Sequence, residues 1–145
     1  GNNNSYKYCR RQWSLVDNEL LRYRYLNDFD RAMVKLAPET DLLAMPPARP
    51  LNMDEKNQVM AFERAGLVFV FNWSGTAAIP DYKLPAPSHG EWRVVLDSDA
   101  LNFGGFGRLD NSIMHFTDKL QNLSLYLLPR TVLVLARAYR GGRRF

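Results

Sequence analysis

The 145-residue chain has one cysteine, Cys9, and two histidines, His89 and His115, far apart in sequence. An internal disulfide is therefore impossible, and a structural zinc site, which needs a cluster of Cys and His ligands, is excluded. No apolar run approaches the roughly 18 residues that cross a bilayer. The opening residues, Gly1-Asn2-Asn3-Asn4-Ser5, lack the basic and apolar regions of a signal peptide. The chain reads as cytoplasmic, with no membrane partner. Net charge is small, +4 with a pI near 9.4, and several arginines sit at the ends, in Arg10-Arg11 and in Arg140, Arg143 and Arg144. Terminal runs of this kind are usually solvated, so charge patterning gives little support for a nucleic-acid surface. No repeat or low-complexity tract is present.

What the chain does have is enough apolar material for one domain with a sizeable core: hydrophobic residues are 46% and charged residues 23%, which argues against disorder. Its centre is the stretch VMAFERAGLVFVFNWS at 59–74. This predicts a β-hairpin turning at Glu63-Arg64-Ala65-Gly66. The second strand, Leu67-Val68-Phe69-Val70-Phe71, does not alternate between apolar and polar residues, so both its faces should be covered. One sheet packed on another covers only one face. A third layer is required.

Upstream of the hairpin, Leu21, Tyr25, Phe29, Met33 and Leu36, with Ala32, predict an amphipathic helix of four to five turns, started by Ser14 as N-cap with Asp17 near its positive end. Residues 37–50 hold four of the eight prolines and read as a connector. Strands are expected near Leu51, at Tyr82-Lys83-Leu84 on a sheet edge, and at residues 91–96, followed by a long loop over 97–110. Residues 123–127 and 131–135 should be antiparallel neighbours joined through Leu128-Pro129-Arg130. The fold class is all-β, an antiparallel β-sandwich with an N-terminal helical arm.

The chemistry-bearing residues mostly favour structural roles. Gly104-Gly105-Phe106-Gly107 lacks the Gly-Lys-Ser/Thr ending of a phosphate loop. Asp97-Ser98-Asp99 starts like a calcium loop, but Leu101 stands where an oxygen ligand belongs and Asn102 where glycine does. These read as turn-capping carboxylates; the alternative, Asp97, Asp99 and Asp110 pairing as acid and base, has nothing to place them across a cleft from one another. His89 and His115 have no nucleophile at a recognisable spacing, and Cys9 reads as a packed thiol. Tyr6, Tyr8 and Trp13 with Arg11, and separately Trp73 and Trp92, carry ring faces able to stack sugars. The alternative for each is a core or interface aromatic.

Several blocks in order carry a resemblance that spans residues 1–138. These are Gly1-Asn2-Asn3 with Ser5-Tyr6, RRQWSLVDNELLRYRYLNDFDRAM at 10–33, AFERAGLVFVFNW at 61–73, WRVVLDSDALNFGGFGRLD at 92–110 and PRTVLVL at 129–135. Together they resemble the C-terminal end of 1,4-α-glucan (glycogen or starch) branching enzymes of the α-amylase superfamily. The resemblance implies a loop and last helix of a (β/α)8 barrel at 1–45 and a C-terminal β-sandwich of the α-amylase type at 46–145. It implies an α-glucan as partner of the parent enzyme and no cofactor. The family's catalytic Asp, Glu and Asp lie on the barrel before this region, and none of their motifs is in this sequence. The chain alone is expected to be inactive.

On the same basis the barrel would supply the layer behind Val68 and Val70, and the Leu21/Tyr25/Phe29 stripe would dock on barrel strands. Alone, the chain would expose an apolar patch, fold the helix back over it, or dimerise. Tyr6, Tyr8, Arg11 and Trp13 fall nearest the substrate cleft and are the candidate glucan contacts. Two departures stand out: the family commonly has histidine where this chain has Phe106, and the segment 118–122 is short. A free-standing β-sandwich module for an anionic polymer is the competing reading.

Overall fold

The computed structural model describes residues 12–138. It has two helices, α1 (Ser14–Asp17) and α2 (Tyr23–Glu39), then eight strands: β1 (Arg49–Asp54), β2 (Val59–Arg64), β3 (Leu67–Asn72), β4 (Ile79–Pro85), β5 (Glu91–Asp97), β6 (Met114–Phe116), β7 (Asn122–Leu127) and β8 (Thr131–Arg137). A single 3₁₀ turn, Leu101–Phe103, interrupts the loop between β5 and β6. All pairings are antiparallel, in a six-stranded sheet ordered β1-β2-β3-β8-β5-β6 and a two-stranded sheet β4-β7. The class is the expected one, a β-sandwich with a helix before it.

The β2–β3 hairpin forms as its sequence dictates. Arg64 pairs with Leu67, and the two turn residues Ala65 and Gly66 both take positive φ, 54° and 76°, the tight turn whose twist matches the flanking strands. Along β3 the side chains alternate between two clusters. Val68 and Val70 join Val59, Ala61, Leu133, Leu135 and the leucines of β7 between the two sheets, whereas Leu67 and Phe69 lie in a second cluster with Leu96, Val134 and Ala136. That second cluster is where Phe29, Ala32 and Leu36 of α2 pack. The third layer is therefore α2 itself, folded onto the outer face of the six-stranded sheet, and it lies behind Leu67 and Phe69, not behind Val68 and Val70.

Three other expectations are corrected. Ser14 does not cap a long helix: α1 is one turn with no side-chain cap, and the chain breaks at Asn18, whose Oδ1 accepts from Leu20 N at 3.0 Å. A short polar side chain that bonds nearby backbone competes with the helical ladder. The long helix restarts at Tyr23 and runs past Pro38 to Glu39, into the expected connector, while Met33 is 45% exposed and takes no part in the docking.

Strands β7 and β8 are not hydrogen-bonded neighbours: β7 pairs with β4, and β8 sits between β3 and β5. Leu127 and Leu128 are both buried, which breaks the alternation, and Arg130 at φ 56° turns the chain from one sheet to the other. Buried Asn72 fixes the same end, donating to the carbonyls of Ala77 and Leu127 and accepting from Ser74 N. At the opposite edges Tyr82 of β4 donates to Asp54 of β1 at 2.9 Å and accepts from Asn52, tying the sheets together. Burial and then the Asp54 contact push the Tyr82 hydroxyl up to about 12.

Candidate functional site

Of the four residues singled out as glucan contacts, Tyr6, Tyr8 and Arg11 lie outside the described residues, as does Cys9. Trp13, just before α1, is 67% exposed. The two other tryptophans separate cleanly. Trp92 is 2% exposed in the sandwich core, which leaves no ring face for a ligand. Trp73 is 62% exposed and stacks on Phe71 at 5.3 Å with the planes 4° apart. Phe71 in turn stacks on Phe62, and Phe62 on Phe69, so an aromatic row crosses the sheet face beside α2.

The acidic loop after β5 is built as a rigid unit. Asp97, 2% exposed, accepts from Asp99 N and from Asn111 Nδ2. Asp99, 4% exposed, accepts four bonds: from Phe106 N at 3.3 Å, Arg108 N at 3.1 Å, Arg108 Nε at 3.0 Å and Arg108 Nη2 at 2.8 Å. The Arg108 guanidinium, then the backbone donors, hold the Asp99 carboxyl below the usual carboxylate range. Its charge is fully committed to the loop. Asp110 likewise accepts from Ser112 N and Oγ. Asp97 and Asp99 have the turn-building roles expected of them, and Asp110 shares that role.

The glycines of 104–107 are dictated by that packing. Gly104 ends the 3₁₀ turn at φ 73°, where an added Cβ would strike the Tyr25 ring, and a Cβ on Gly105 would fall on the Asp99 carbonyl. Arg22 Nη2 donates to Gly104 O at 3.1 Å, so the loop is pinned to the start of α2. What it presents outward is Phe106, 76% exposed, with the Arg108 guanidinium 5.1 Å from the ring centroid. An open groove of about 430 Å³ runs from this ring to Arg130 and Thr131 at the β7–β8 crossing. Sequence reading treated Gly104–Gly107 as a failed phosphate loop and passed over Phe106 as a ligand residue. The signal available was an aromatic flanked by glycines.

His115 is half-buried on β6 and burial lowers its pKa, while His89 is exposed near Thr117. No cluster of three metal-ligating side chains occurs among the described residues. No helix among them is long and apolar enough to cross a membrane.

Comparison with known proteins gives two results. The chain is 43% identical over 141 residues to a 1,4-alpha-glucan-branching enzyme of Felis catus, covering 93% of this chain and 20% of that protein. It is 50% identical over 117 residues to the chloroplastic/amyloplastic 1,4-alpha-glucan-branching enzyme of Oryza sativa subsp. japonica, covering 81% of this chain and 14% of that one. A 1,4-alpha-glucan-branching enzyme of Yarrowia lipolytica is 39% identical over 144 residues, again with only 21% of its length matched. The chain thus spans about a fifth or less of these relatives. Residues 51–138, which hold all of the sheet from β1's interior to the end of β8, match the profile described as "Alpha amylase, C-terminal all-beta domain". By that match, and by the antiparallel sandwich it describes, the chain belongs to the alpha amylase C-terminal all-beta domain family.

Proposed function

We propose that this chain is the C-terminal, non-catalytic part of a 1,4-alpha-glucan-branching enzyme acting in the cytoplasm, in which it supports an upstream (β/α)8 barrel and contacts glucan. In this reading residues 1–45 close the barrel and residues 46–145 form the C-terminal domain. The observation that carries it is the second face of α2. While Phe29, Ala32 and Leu36 pack on the sheet, Tyr23 (51% exposed), Leu26 (67%), Met33 (45%) and Val34 (62%) line the side turned to water. A helix whose exposed apolar surface continues past its docked stripe can take a second partner layer. The similarity to branching enzymes runs through α2 as well as the sandwich, covering 93% of the chain. The missing layer on this reading is the barrel, which the enzyme needs for its retaining transfer chemistry with paired carboxylates.

Tyr6, Tyr8, Arg11 and Trp13 then precede the barrel's last helix and contact α-glucan at the substrate cleft. Isolated from the barrel, the open face of α2 drives dimerisation. The test is iodine staining of amylose with this chain and with the complete polypeptide. Branching by the complete polypeptide only is the expected result, and branching by this chain alone overturns the reading. Affinity electrophoresis through glycogen, with wild type beside Tyr6→Ala/Trp13→Ala, reports the contact. Retardation should be indifferent to salt and lost in the variant. Binding to a polyphosphate that collapses as salt rises would instead favour a free-standing module for an anionic polymer.

A further inference from the structure

We infer that Phe106 and Arg130 form a second α-glucan contact, at the rim of the catalytic face and separate from residues 6–13. The inference rests on the branching-enzyme reading above. Its starting point is an energetic oddity: a phenylalanine left 76% exposed on a loop that has no freedom to bury it. The loop is held by a buried carboxylate accepting four hydrogen bonds, by Gly107 N donating to Asp99 O at 2.7 Å, and by a Gly105 with no room for a side chain. A ring fixed in water at a rigid position is pre-organised for stacking, because little ordering entropy remains to be lost on binding.

The chemistry of the groove selects the ligand class. Arg108 lies over one face of the Phe106 ring, and the ring's exposure leaves the other face to solvent. Nε and Nη2 of Arg108 are both committed to the Asp99 carboxylate, so its charge is matched internally. That leaves Arg130 as a lone cation in the groove, without a carboxylate partner among the described residues, a slender footing for a polyanion. A neutral pyranose suits it better: its apolar face stacks on the ring, and its hydroxyls meet Arg130, the Thr131 hydroxyl and loop backbone along the same groove. Arg130 is itself aimed by a bond from its Nε to Gly75 O at 2.9 Å.

Position gives the contact its purpose. The loop is pinned to the N-terminal end of α2 through Arg22 and Tyr25. If α2 closes a (β/α)8 barrel, the starts of its helices lie at the face that carries the active site. Phe106 then stands where a long glucan leaves or enters the cleft, and its loss should weaken chain capture more than turnover.

The complete polypeptide is assayed on amylose as wild type, Phe106→Ala, Phe106→Tyr and Arg130→Ala. Phe106→Ala should raise KM about five- to tenfold with kcat within about twofold, as for loss of one aromatic anchor, and Phe106→Tyr should restore it. Arg130→Ala should raise KM by less. Unfolding midpoints of all variants should match wild type to within about 2 °C, since the altered side chains are exposed. An unchanged KM in Phe106→Ala overturns the inference while leaving the branching reading intact. An inactive wild type would refute the branching reading, and retardation of this chain by glycogen, with or without dependence on Phe106, then decides the contact alone.

Discussion

Truncating α2 on its two faces separates the packing seen here from the packing proposed for the whole enzyme. Phe29 sits in the helix–sheet cluster, its ring edge-on to Phe103 at 5.3 Å and 86°. Removing a fully buried phenylalanine side chain costs about 3–5 kcal/mol. Phe29 is only partly buried, so Phe29→Ala should cost about 2 kcal/mol, of which the edge-to-face pair contributes roughly 0.5–1.5 kcal/mol. With a urea slope of about 1–3 kcal/mol per molar for a chain of this size, the midpoint should fall by roughly 1 M. Leu26 lies beside the docked stripe and is 67% exposed, so Leu26→Ala should stay within about 0.5 kcal/mol of wild type in this chain. If a barrel covers Leu26 in the complete polypeptide, as proposed, the same change there should cost about 2 kcal/mol or more. Urea unfolding followed by circular dichroism reads all four values. Equal losses from the two substitutions in the isolated chain would refute the facing assigned to α2. No loss from Phe29→Ala would mean that the helix is not docked on the sheet.

Stability should fall in two stages as pH drops. Burial depresses the pKa of His115, so the unfolded chain binds the extra proton first, and its contribution is lost from about pH 6.5 downward. The carboxyls of Asp54, Asp99, Asp110 and Asp118 are held low by their hydrogen bonds, so theirs is present above about pH 4 and lost as pH falls through the folded values. Urea midpoints between pH 7 and 3 should show both stages, and His115→Gln should abolish the first. Gly105→Ala forces the loop off the Asp99 carbonyl and should cost about 2–3 kcal/mol, against under about 1 kcal/mol for a change at the open Gly75. A wild-type-like melting curve for Gly105→Ala would show that the loop can yield. Sedimentation equilibrium of the isolated chain should show dimers that Leu26→Asp/Val34→Asp disperses; a monomer at all concentrations would count against the open helix face as an association surface.

The sandwich was legible because its strongest signals are local. Residues 59–72 specify a hairpin by pattern and by an Ala-Gly turn, and residues 91–97 by β-branched and aromatic content, with no help from distant contacts. The demand for a third layer was also legible, since Leu67–Asn72 carries no polar alternation before Asn72. Which element would supply the layer was not. The α2 stripe specifies an apolar partner but not its identity, and it fits this chain's own sheet as well as it would a barrel. The misread neighbours β7 and β8 had a usable signal. Leu123, Leu125 and Leu127 alternate with polar residues or Tyr126, as in a one-sided strand, whereas Val132-Leu133-Val134-Leu135-Ala136 is continuously apolar, as in a strand covered on both faces. Strands of such different character belong to different sheets. The short β6, three residues with no pattern, carried no signal and owes its existence to β5 beside it.

The loop of 97–110 shows why a site is harder to read than a fold. Its sequence displays aspartates and glycines, the residue types that bind metals and phosphates, but the structure turns three of them inward: Asp99 onto Arg108, Asp97 onto Asn111, Gly105 against the Asp99 carbonyl. What faces solvent includes Phe106 and Leu101, residues whose type argues for burial. A pattern-based reading weighs ligands by side-chain chemistry, and it therefore tests the polar residues as site candidates and gives the ring little weight. Long-range hydrogen bonding inverts that order, because a carboxylate that accepts four bonds has nothing left to offer a ligand. The Arg108 charge is matched by the same pairing, so the face of the loop around Phe106 is mainly apolar and hydrogen-bonding. On the inference drawn above, that face favours a neutral polymer over an anionic one.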